Sequence, residues 1–348
     1  MPSYQDIYVR DNFGDTGVFP STGVPYMSPD IIPLQSGTLS VEQAISTYGG
    51  PDQGKHILNP GLNNIYIRAK NLQPGGTETG TASLYFAKTS LVMLPDTWRN
   101  NQLLTSAGQS SVSFVNASGS TNLNPNDIAL SSPAFFWSSV PDPTWSHCLV
   151  AIVNTPNTVV TIPARFASNA AYVQWVQNNP AVAWRNIIIV PNGQANVIKN
   201  VEFSNQDSVP HYFYFSLTAR NCPLNTAVTM QCTHQSCPIN WNGTIPAPDP
   251  NGNQIIGFQN SVPAGFLSGS LAMSATAPSG QTFPRGMTLD LMAYQVPASQ
   301  LFDELDEIER DVVRHYEVTE DHLVKGLAKD GGGKMLIKLG QVNFVVPA

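Results

Sequence analysis

Alternating apolar and polar positions along residues 63–90 predict two half-buried strands joined by a turn. Ile65 and Ile67 share one face of the first strand, whereas Arg68 falls on the opposite, solvent-facing side. A second alternating segment occupies 81–90, after a loop rich in Pro and Gly, the residues that supply the backbone angles of a reversal. The pattern predicts an antiparallel hairpin.

The same alternation recurs in two sets of short segments, separated by turns rich in Pro, Gly and Asn. The first set is predicted at 4–10, 31–32, 112–115, 128–130, 134–137 and 148–153, around the hairpin. The second set is predicted at 184–190, 197–203, 212–217, 228–230, 254–258, 268–275 and 287–294. Short strands at regular spacing are typical of sandwiches. We therefore predict a mainly β protein with two immunoglobulin-like β-sandwich domains, at 1–163 and 164–298.

Helical spacing of apolar residues is confined to three places. One helical turn is predicted near 41–48 and a short helix at 166–179. The third place is the tail, 299–348, which we predict to be a helical segment followed by a terminal strand. The residues proposed to contact other subunits are Leu301, Leu305, Ile308 and Val312 of the helix and Leu336 and Ile337 of the strand. An apolar strand of this kind must be covered within its own chain or pair with a neighbouring one.

Charged residues make up only 12% of the 348 residues, and the formal net charge is −7. An acidic chain without a basic stripe has no electrostatic means of holding a polyanion, so nucleic acid is excluded as a partner. No apolar run is long enough to span a membrane. The amino terminus shows no secretory signal, so we expect synthesis in the cytoplasm and later release or surface association within an assembly.

Part of the chain resembles a known family. In residues 65–71 a strand of apolar residues, Arg68 and Asn71 leads into a turn with Gly75 and Gly76, and a later strand, at 148–153, follows Trp137. These features are similar to those of the immunoglobulin-like, adhesion-related (CARDB-like) β-sandwich domains of bacterial surface proteins. The resemblance covers roughly the first half of the chain. It implies an immunoglobulin-like sandwich and a role in adhesion.

The cysteines offer one candidate metal or redox cluster. Cys222, Cys232, His234 and Cys237 lie close in sequence, but their spacing differs from that of zinc sites, in which ligands recur two to four residues apart on tight turns. Three interpretations stay open for the three cysteines: a zinc site, a disulfide, or free half-buried thiols. The fourth, Cys148, lies within an apolar run and is predicted to be a core residue. We expect no cofactor and no metal.

Two Asx-rich segments could offer oxygen ligands to calcium: Asp11, Asn12 and Asp15, and separately Asp249, Asn251 and Asn253. Neither has the glycine and terminal glutamate of an EF-hand loop. Asx turns explain both segments equally well.

Six tryptophans could line a sugar site, although a sandwich normally buries such side chains in its core. Trp145 and Trp241 lie in segments rich in Pro or Asn, and we predict that these two are exposed and stack on a ligand. No nucleophile elbow, phosphate loop or dinucleotide fingerprint is present in the sequence, so no enzymatic activity is predicted.

These observations favour a non-enzymatic structural protein that self-associates or decorates a larger particle or a cell surface. An adhesion module that binds a glycan or a receptor is the first alternative. It predicts aromatic and Asx side chains on one surface. A metal-dependent hydrolase on a sandwich scaffold is the second, and it requires the cysteines and histidines near position 230 to meet a carboxylate.

Overall fold

The computed structural model describes residues 3–22, 25, 27–55, 57, 61–88, 98–138, 147–164, 174–187, 194–296, 328–329 and 335–346. Strands take up 46% of the chain and helices 4%, so the prediction of a mainly β protein is confirmed. All the strand pairs are antiparallel. In the described part of the chain no helix is long and apolar enough to cross a membrane.

Ten strands form the first sheet. They are β1 (Ile7–Tyr8), β2 (Ile31–Pro33), β3 (Asn63–Asn71), β4 (Thr81–Lys88), β5 (Gln102–Thr105), β6 (Val112–Val115), β7 (Ile128–Ser131), β8 (Phe135–Trp137), β9 (His147–Asn154) and β10 (Val182–Ile187). The order is β10-β9-β4-β5-β8-β3-β7-β6, and β6 also pairs with β4. The sheet therefore folds over on itself, and its two halves enclose a core as the layers of a sandwich do.

The predicted hairpin is wrong, although both of its strands are present. Strand β3 pairs with β1, β2, β7 and β8, whereas β4 pairs with β5, β6 and β9, so the two are not hydrogen-bonded to each other. The alternation of apolar residues identifies a strand and its buried face. It does not identify the neighbour of that strand, because pairing is decided by long-range packing.

Strand β10 corrects a second expectation. We assigned the strand near Trp184 to the second sandwich, but Trp184 pairs with Val150 of β9 in the first sheet. Buried residues of β9 and β10 form a second small core on the other side of this sheet, against Trp98 and Val176. Val176 belongs to the described part of the helix predicted at 166–179, of which residues 174–177 are helical.

A buried ion cluster joins the first sheet to helix α1 (Val41–Ser46), which lies where one helical turn was predicted and is capped by Ser40. Asp30 forms ion pairs with Arg10 (Nη2–Oδ1 2.7 Å) and Arg68 (Nε–Oδ1 2.8 Å). Arg68 also donates to the carbonyl of Ala44 in α1. The solvent-facing prediction for Arg68 is therefore wrong: its side chain is fully buried. The ion pairs and carbonyl contacts replace water around the guanidinium, which makes its burial tolerable.

The second unit is a sandwich of two sheets. Its strands are β11 (Asn196–Asn205), β12 (His211–Arg220), β13 (Ala227–Cys232), β14 (Ile239–Thr244), β15 (Asn253–Val262), β16 (Phe266–Thr276), β17 (Thr288–Val296), β18 (Ala328–Lys329) and β19 (Met335–Val345). One sheet has the order β11-β16-β13-β14 and the other β15-β12-β17-β19-β18. Inward-facing apolar residues of both sheets form one core, which includes Phe203, Phe215 and Leu271.

The terminal strand β19 is covered within its own chain, because it pairs with β17. Ile337 is opposite Gln295, and Leu336 is opposite Ala328 of β18. The helical residues proposed for subunit contacts, Leu301, Leu305, Ile308 and Val312, lie outside the described residues. Self-association through the tail stays a prediction.

Candidate functional site

The candidate metal cluster separates in the structure. Cys222 lies at the end of β12, where its Sγ contacts Thr226 Oγ1 at 3.5 Å. Cys232 and Cys237 lie in the β13–β14 hairpin, and all four cysteines of the chain are buried and form no disulfide. His234 is exposed and makes an edge-on contact with Phe266, at 4.9 Å between ring centroids. The described residues contain no group of three or more His, Cys, Asp or Glu side chains that could hold a metal.

These thiols are poor nucleophiles at neutral pH. Burial, with the nearby Cys232, raises the pKa of Cys237 to about 11. Burial also raises the pKa of Cys148 and of Cys222 above the ordinary range of a thiol. Because the thiolate is the reactive form, all three groups are protonated and inert under physiological conditions.

The two Asx-rich segments form turns. Asp249 Oδ1 accepts hydrogen bonds from the backbone N–H groups of Asn251 and Asn253, at 2.9 and 2.8 Å. In the other segment, Asn12 Oδ1 accepts from the backbone N–H of Gly14. Asp15 accepts from backbone N–H groups at 2.8 and 3.0 Å. These bonds engage Asn12, Asp15 and Asp249 within their own turns, which fits the turn interpretation.

Asp11 has an unusual environment. Ser21 donates a hydrogen bond to its Oδ2 at 2.6 Å, while its buried Oδ1 has no partner among the described residues. Burial, followed by the charge of Asp15, raises the pKa of Asp11 well above its ordinary value. Ionisation of Asp11 therefore opposes folding.

We expect Asp11→Asn to be more stable than the wild type at neutral pH. A carboxyl whose pKa is raised by folding favours the folded state at acidic pH, and this contribution is lost as pH rises above about 4, the unfolded value. Asparagine keeps the acceptor for Ser21 and removes the titration. Urea unfolding of both proteins at acidic and neutral pH measures the difference. If the free energy of unfolding depended on pH in the same way in both proteins, a raised pKa of Asp11 would be contradicted.

Most tryptophans pack in the cores, as expected: Trp98, Trp137 and Trp184 are buried. Trp145 lies outside the described residues. Trp241 differs from our expectation of an exposed loop residue, because it lies within strand β14 and is half-buried. Its indole stacks on Phe258 of β15, with 5.1 Å between ring centroids and 19° between planes.

The outer face of the four-stranded sheet in the second unit is an open surface, which we call the polar face. On β13 and β14 it comprises Ala227, Thr229, Gln231, Asn240, Asn242 and Thr244. On β11 and β16 it comprises Asn196, Ile198, Asn200, Glu202, Ser270, Ala272, Ser274 and Thr276. All of these residues are exposed or half-exposed, and Glu202, on the edge strand β11, is the one that carries a charge.

Side chains of the polar face are linked across the strands. Thr229 and Ser274 hydrogen-bond through their hydroxyls at 2.7 Å, and Gln231 Nε2 donates to Asn240 Oδ1 at 3.4 Å. These bonds connect short side chains of neighbouring strands. With about 4.8 Å between neighbouring strands, four strands present a surface about 14 Å across. The one large apolar side chain of the face is Ile198, at 64% exposure.

The outer face of the five-stranded sheet is different. Tyr214 and Ser216 of β12 point outward and yet are only 2% exposed, and Tyr294 of β17 is fully buried. Tyr214 and Tyr294 also stack on each other, at 6.5 Å between centroids. This face is therefore covered around Tyr214, Ser216 and Tyr294, whereas the polar face is exposed or half-exposed along its four strands.

One loop end of the second sandwich is held by contacts that sequence reasoning missed. Asn205 donates to the carbonyls of Val209, Val262 and Pro263, which joins two loops. The neighbouring His211 and Asp207 are also in contact, with Nε2 and Oδ2 2.7 Å apart. We assign both arrangements a structural role.

Neither the family models nor the curated proteins contain a match to this chain. Among solved structures, it is similar to the collagen adhesin from S. aureus (9% identity, 84% of this chain and 92% of that chain, TM-score 0.20). It is also similar to the CupB6 tip adhesin from Pseudomonas aeruginosa (9% identity, 90% and 96%, TM-score 0.16). A third is the adhesive subunit of the CFA/I fimbria of enterotoxigenic Escherichia coli (11% identity, 99% and 94%, TM-score 0.20).

These three structural neighbours are adhesins. At TM-scores of 0.20 or less the likeness is too weak to transfer a fold or a function to this chain. The resemblance to CARDB-like domains and the immunoglobulin-like assignment therefore stay predictions.

Proposed function

We propose that this chain is a non-enzymatic binding module of the adhesion type, which attaches its carrier to a neutral, hydroxyl-rich surface such as a polysaccharide. The observation that carries this proposal is the polar face, whose residues on β13, β14 and β16 are all uncharged. It is the first of the alternatives that the sequence left open.

The chemistry of the polar face matches a neutral carbohydrate. A sugar hydroxyl both donates and accepts hydrogen bonds, and so do the side chains of Ser, Thr, Asn and Gln. A neutral ligand would pay a desolvation cost at an ionised side chain, and strands β13, β14 and β16 contribute none to the face. The acidic net charge of the chain disfavours binding to polyanions, so the proposed partner is an uncharged surface.

The environment of the thiols supports a non-enzymatic role. A metal-dependent hydrolase would bring together the cysteines and His234 with a carboxylate, but Cys222 contacts Thr226 at the open end of the β13–β14 hairpin, whereas Cys232, His234 and Cys237 lie at its turn. The described residues contain no group of three or more such side chains. Their raised pKa values also make Cys222 and Cys237 unsuited to nucleophilic catalysis.

Strand β11 argues against assembly through the nearest sheet edge. Lys199 lies between Val197 and Val201, on the inward-facing side of this edge strand, and burial lowers its pKa. An inward-pointing lysine on an edge strand discourages the addition of another strand. This observation favours a binding module over open-ended self-assembly through β11.

Depletion from solution tests the proposal. The full chain is mixed with suspensions of microcrystalline cellulose, chitin and insoluble starch, and with cross-linked alginate as an acidic control. We expect saturable binding to at least one neutral polysaccharide and little dependence on salt, because no ion pairs form. Failure to bind any of the three, or binding to alginate alone, would refute the proposal.

Light scattering on the same preparation tests the self-association prediction. The full chain is compared with a full-length variant in which Leu301, Leu305, Ile308 and Val312 are replaced by Gln, because a truncation at Pro297 would also remove the core strand β19. A large discrete species in the wild type that collapses to a monomer in this variant would support assembly through these four residues. A monomer in both cases would rule it out and leave the polysaccharide proposal untouched.

A further inference from the structure

Strand β11 presents one apolar side chain between two amides. Val197 and Val201 belong to the core, so the residues on the opposite side of the strand point onto the polar face. Ile198 is 64% exposed there, and Asn196 and Asn200 lie on the same side, each about 7 Å away along the strand. The isoleucine therefore has an amide group on either side of it.

The arrangement continues across the sheet. Ile198 is opposite Ser274 of β16, which is opposite Thr229 of β13. Thr229 is in turn opposite Asn242 of the edge strand β14. One row thus presents an aliphatic group, two hydroxyls and an exposed amide, in that order from β11 to β14. A ligand that lies along this row meets apolar and hydrogen-bonding groups side by side.

The polar face is rich in amides. Five of its side chains carry one: Asn196, Asn200, Gln231, Asn240 and Asn242. A primary amide both donates and accepts hydrogen bonds, so it can pair with an amide of a ligand in either direction. Gln231 and Asn240 already pair in this way with each other, at 3.4 Å. Such a surface favours a ligand that itself carries amide groups.

We propose that Asn196, Ile198 and Asn200, with Ser274 opposite, form a subsite for the acetamido group of an N-acetylated neutral glycan such as chitin. We call these four residues the β11 subsite. This inference rests on the proposed function and names the class of sugar that the polar face selects.

The chemistry of an acetamido group matches the order of the side chains on β11. Like a peptide bond, this group is planar and trans, so its N–H and C=O point in opposite directions. Asn196 and Asn200, on opposite sides of Ile198, can therefore pair with one each. The methyl group lies against Ile198 and leaves water, which stabilises the complex. Cellulose and starch carry hydroxyls alone, so they gain neither contribution.

Two soluble oligosaccharides of equal length test the inference. Oligomers of chitin and of cellulose have the same linkage, and only the first carry acetamido groups. Titration calorimetry of the full-length chain measures the affinity for each. Burial of a methyl group, with the net gain of a hydrogen bond, predicts about tenfold tighter binding of the chitin oligomer.

Two variants assign this preference to the β11 subsite. Ile198→Thr removes the aliphatic contact and keeps a β-branched residue in the strand. The double variant Asn196→Thr, Asn200→Thr removes both amides and keeps polar side chains. Each should lose most of the tenfold preference and retain the affinity for the cellulose oligomer. Leu104→Thr is the matched control, because Leu104 is 44% exposed on a strand of the first unit, and it should behave as the wild type.

The outcomes separate the two proposals. If a chain that binds a neutral polysaccharide bound the chitin oligomer no more tightly than the cellulose oligomer, the β11 subsite would be overturned and the polar face would remain the binding surface. An undiminished preference in Ile198→Thr or in the double variant would have the same meaning. Tighter binding of the deacetylated, cationic oligomer would also overturn the subsite, because it would assign selectivity to the charge of Glu202. A wild-type protein that binds none of the neutral polysaccharides would overturn both proposals.

Discussion

Asp30→Ala is expected to destabilise the chain by about 3–5 kcal/mol, enough to unfold a domain of ordinary stability. Asp30 is the sole carboxylate paired with Arg10 and Arg68 among the ion pairs of the described residues. Without it, two buried guanidinium groups would face each other with no counter-charge. The guanidinium of Arg10 also lies over the ring of Tyr48, with 3.7 Å between its Cζ and the ring centroid. Displacement of Arg10 would therefore remove a contact that holds the segment after α1.

Urea unfolding measures this effect, with Asp52→Ala as the control. Asp52 pairs with Arg185 at 2.7 Å, but its side chain is 39% exposed, so its loss should cost about 0–1 kcal/mol. The triple variant Arg10→Met, Asp30→Leu, Arg68→Met should recover most of the lost stability, because an apolar replacement leaves no buried charge. Equal effects of Asp30→Ala and Asp52→Ala would contradict this account.

Placing charges in the centre of the polar face is expected to abolish binding to the polysaccharide, with a loss of affinity of about tenfold or more. Thr229→Lys and Ser274→Glu are introduced together, because these residues are opposite each other on β13 and β16. Opposite charges across two strands support each other, so the sheet itself should stay intact. The long side chains would project from the polar face and place charged groups where the ligand lies.

Depletion isotherms compare this double variant with Ser113→Glu. Ser113 is an exposed residue on strand β6 of the first unit, so its replacement adds a charge in a similar strand position away from the polar face. We expect wild-type binding in Ser113→Glu and unchanged melting temperatures in both proteins. Unimpaired binding by the double variant would show that the polar face is not the contact surface.

Alternation of apolar residues was sufficient to locate most strands, but it could not locate all of them. Strand β14 was missed because its residues include three asparagines or glycines and one half-buried tryptophan, so the sequence resembles a loop. Tertiary packing against β13 and β15 overrides this weak propensity. The error on Trp241 follows directly, because a residue in an assumed loop was expected to be exposed.

Burial of Arg68 could not be predicted for a different reason. Its position on the polar side of β3 is typical of an exposed residue, and only the packing of α1 and the Asp30 segment covers that side. Sequence offers no signal for such a long-range partner. The polar face, in contrast, could have been found: alternate residues of β13 and β16 are uncharged, which is visible once the strands are assigned.

Protection of an introduced thiol tests most directly whether the polar face binds the polysaccharide. Because the native cysteines are buried, Gln231→Cys introduces one accessible thiol in the centre of the face, and Ser113→Cys introduces one on the first unit. Each protein is labelled with a maleimide, free and bound to the polysaccharide that retains it. The account predicts that binding slows labelling at position 231 several-fold and leaves position 113 unchanged. Equal labelling of Gln231→Cys in the free and bound states would contradict it.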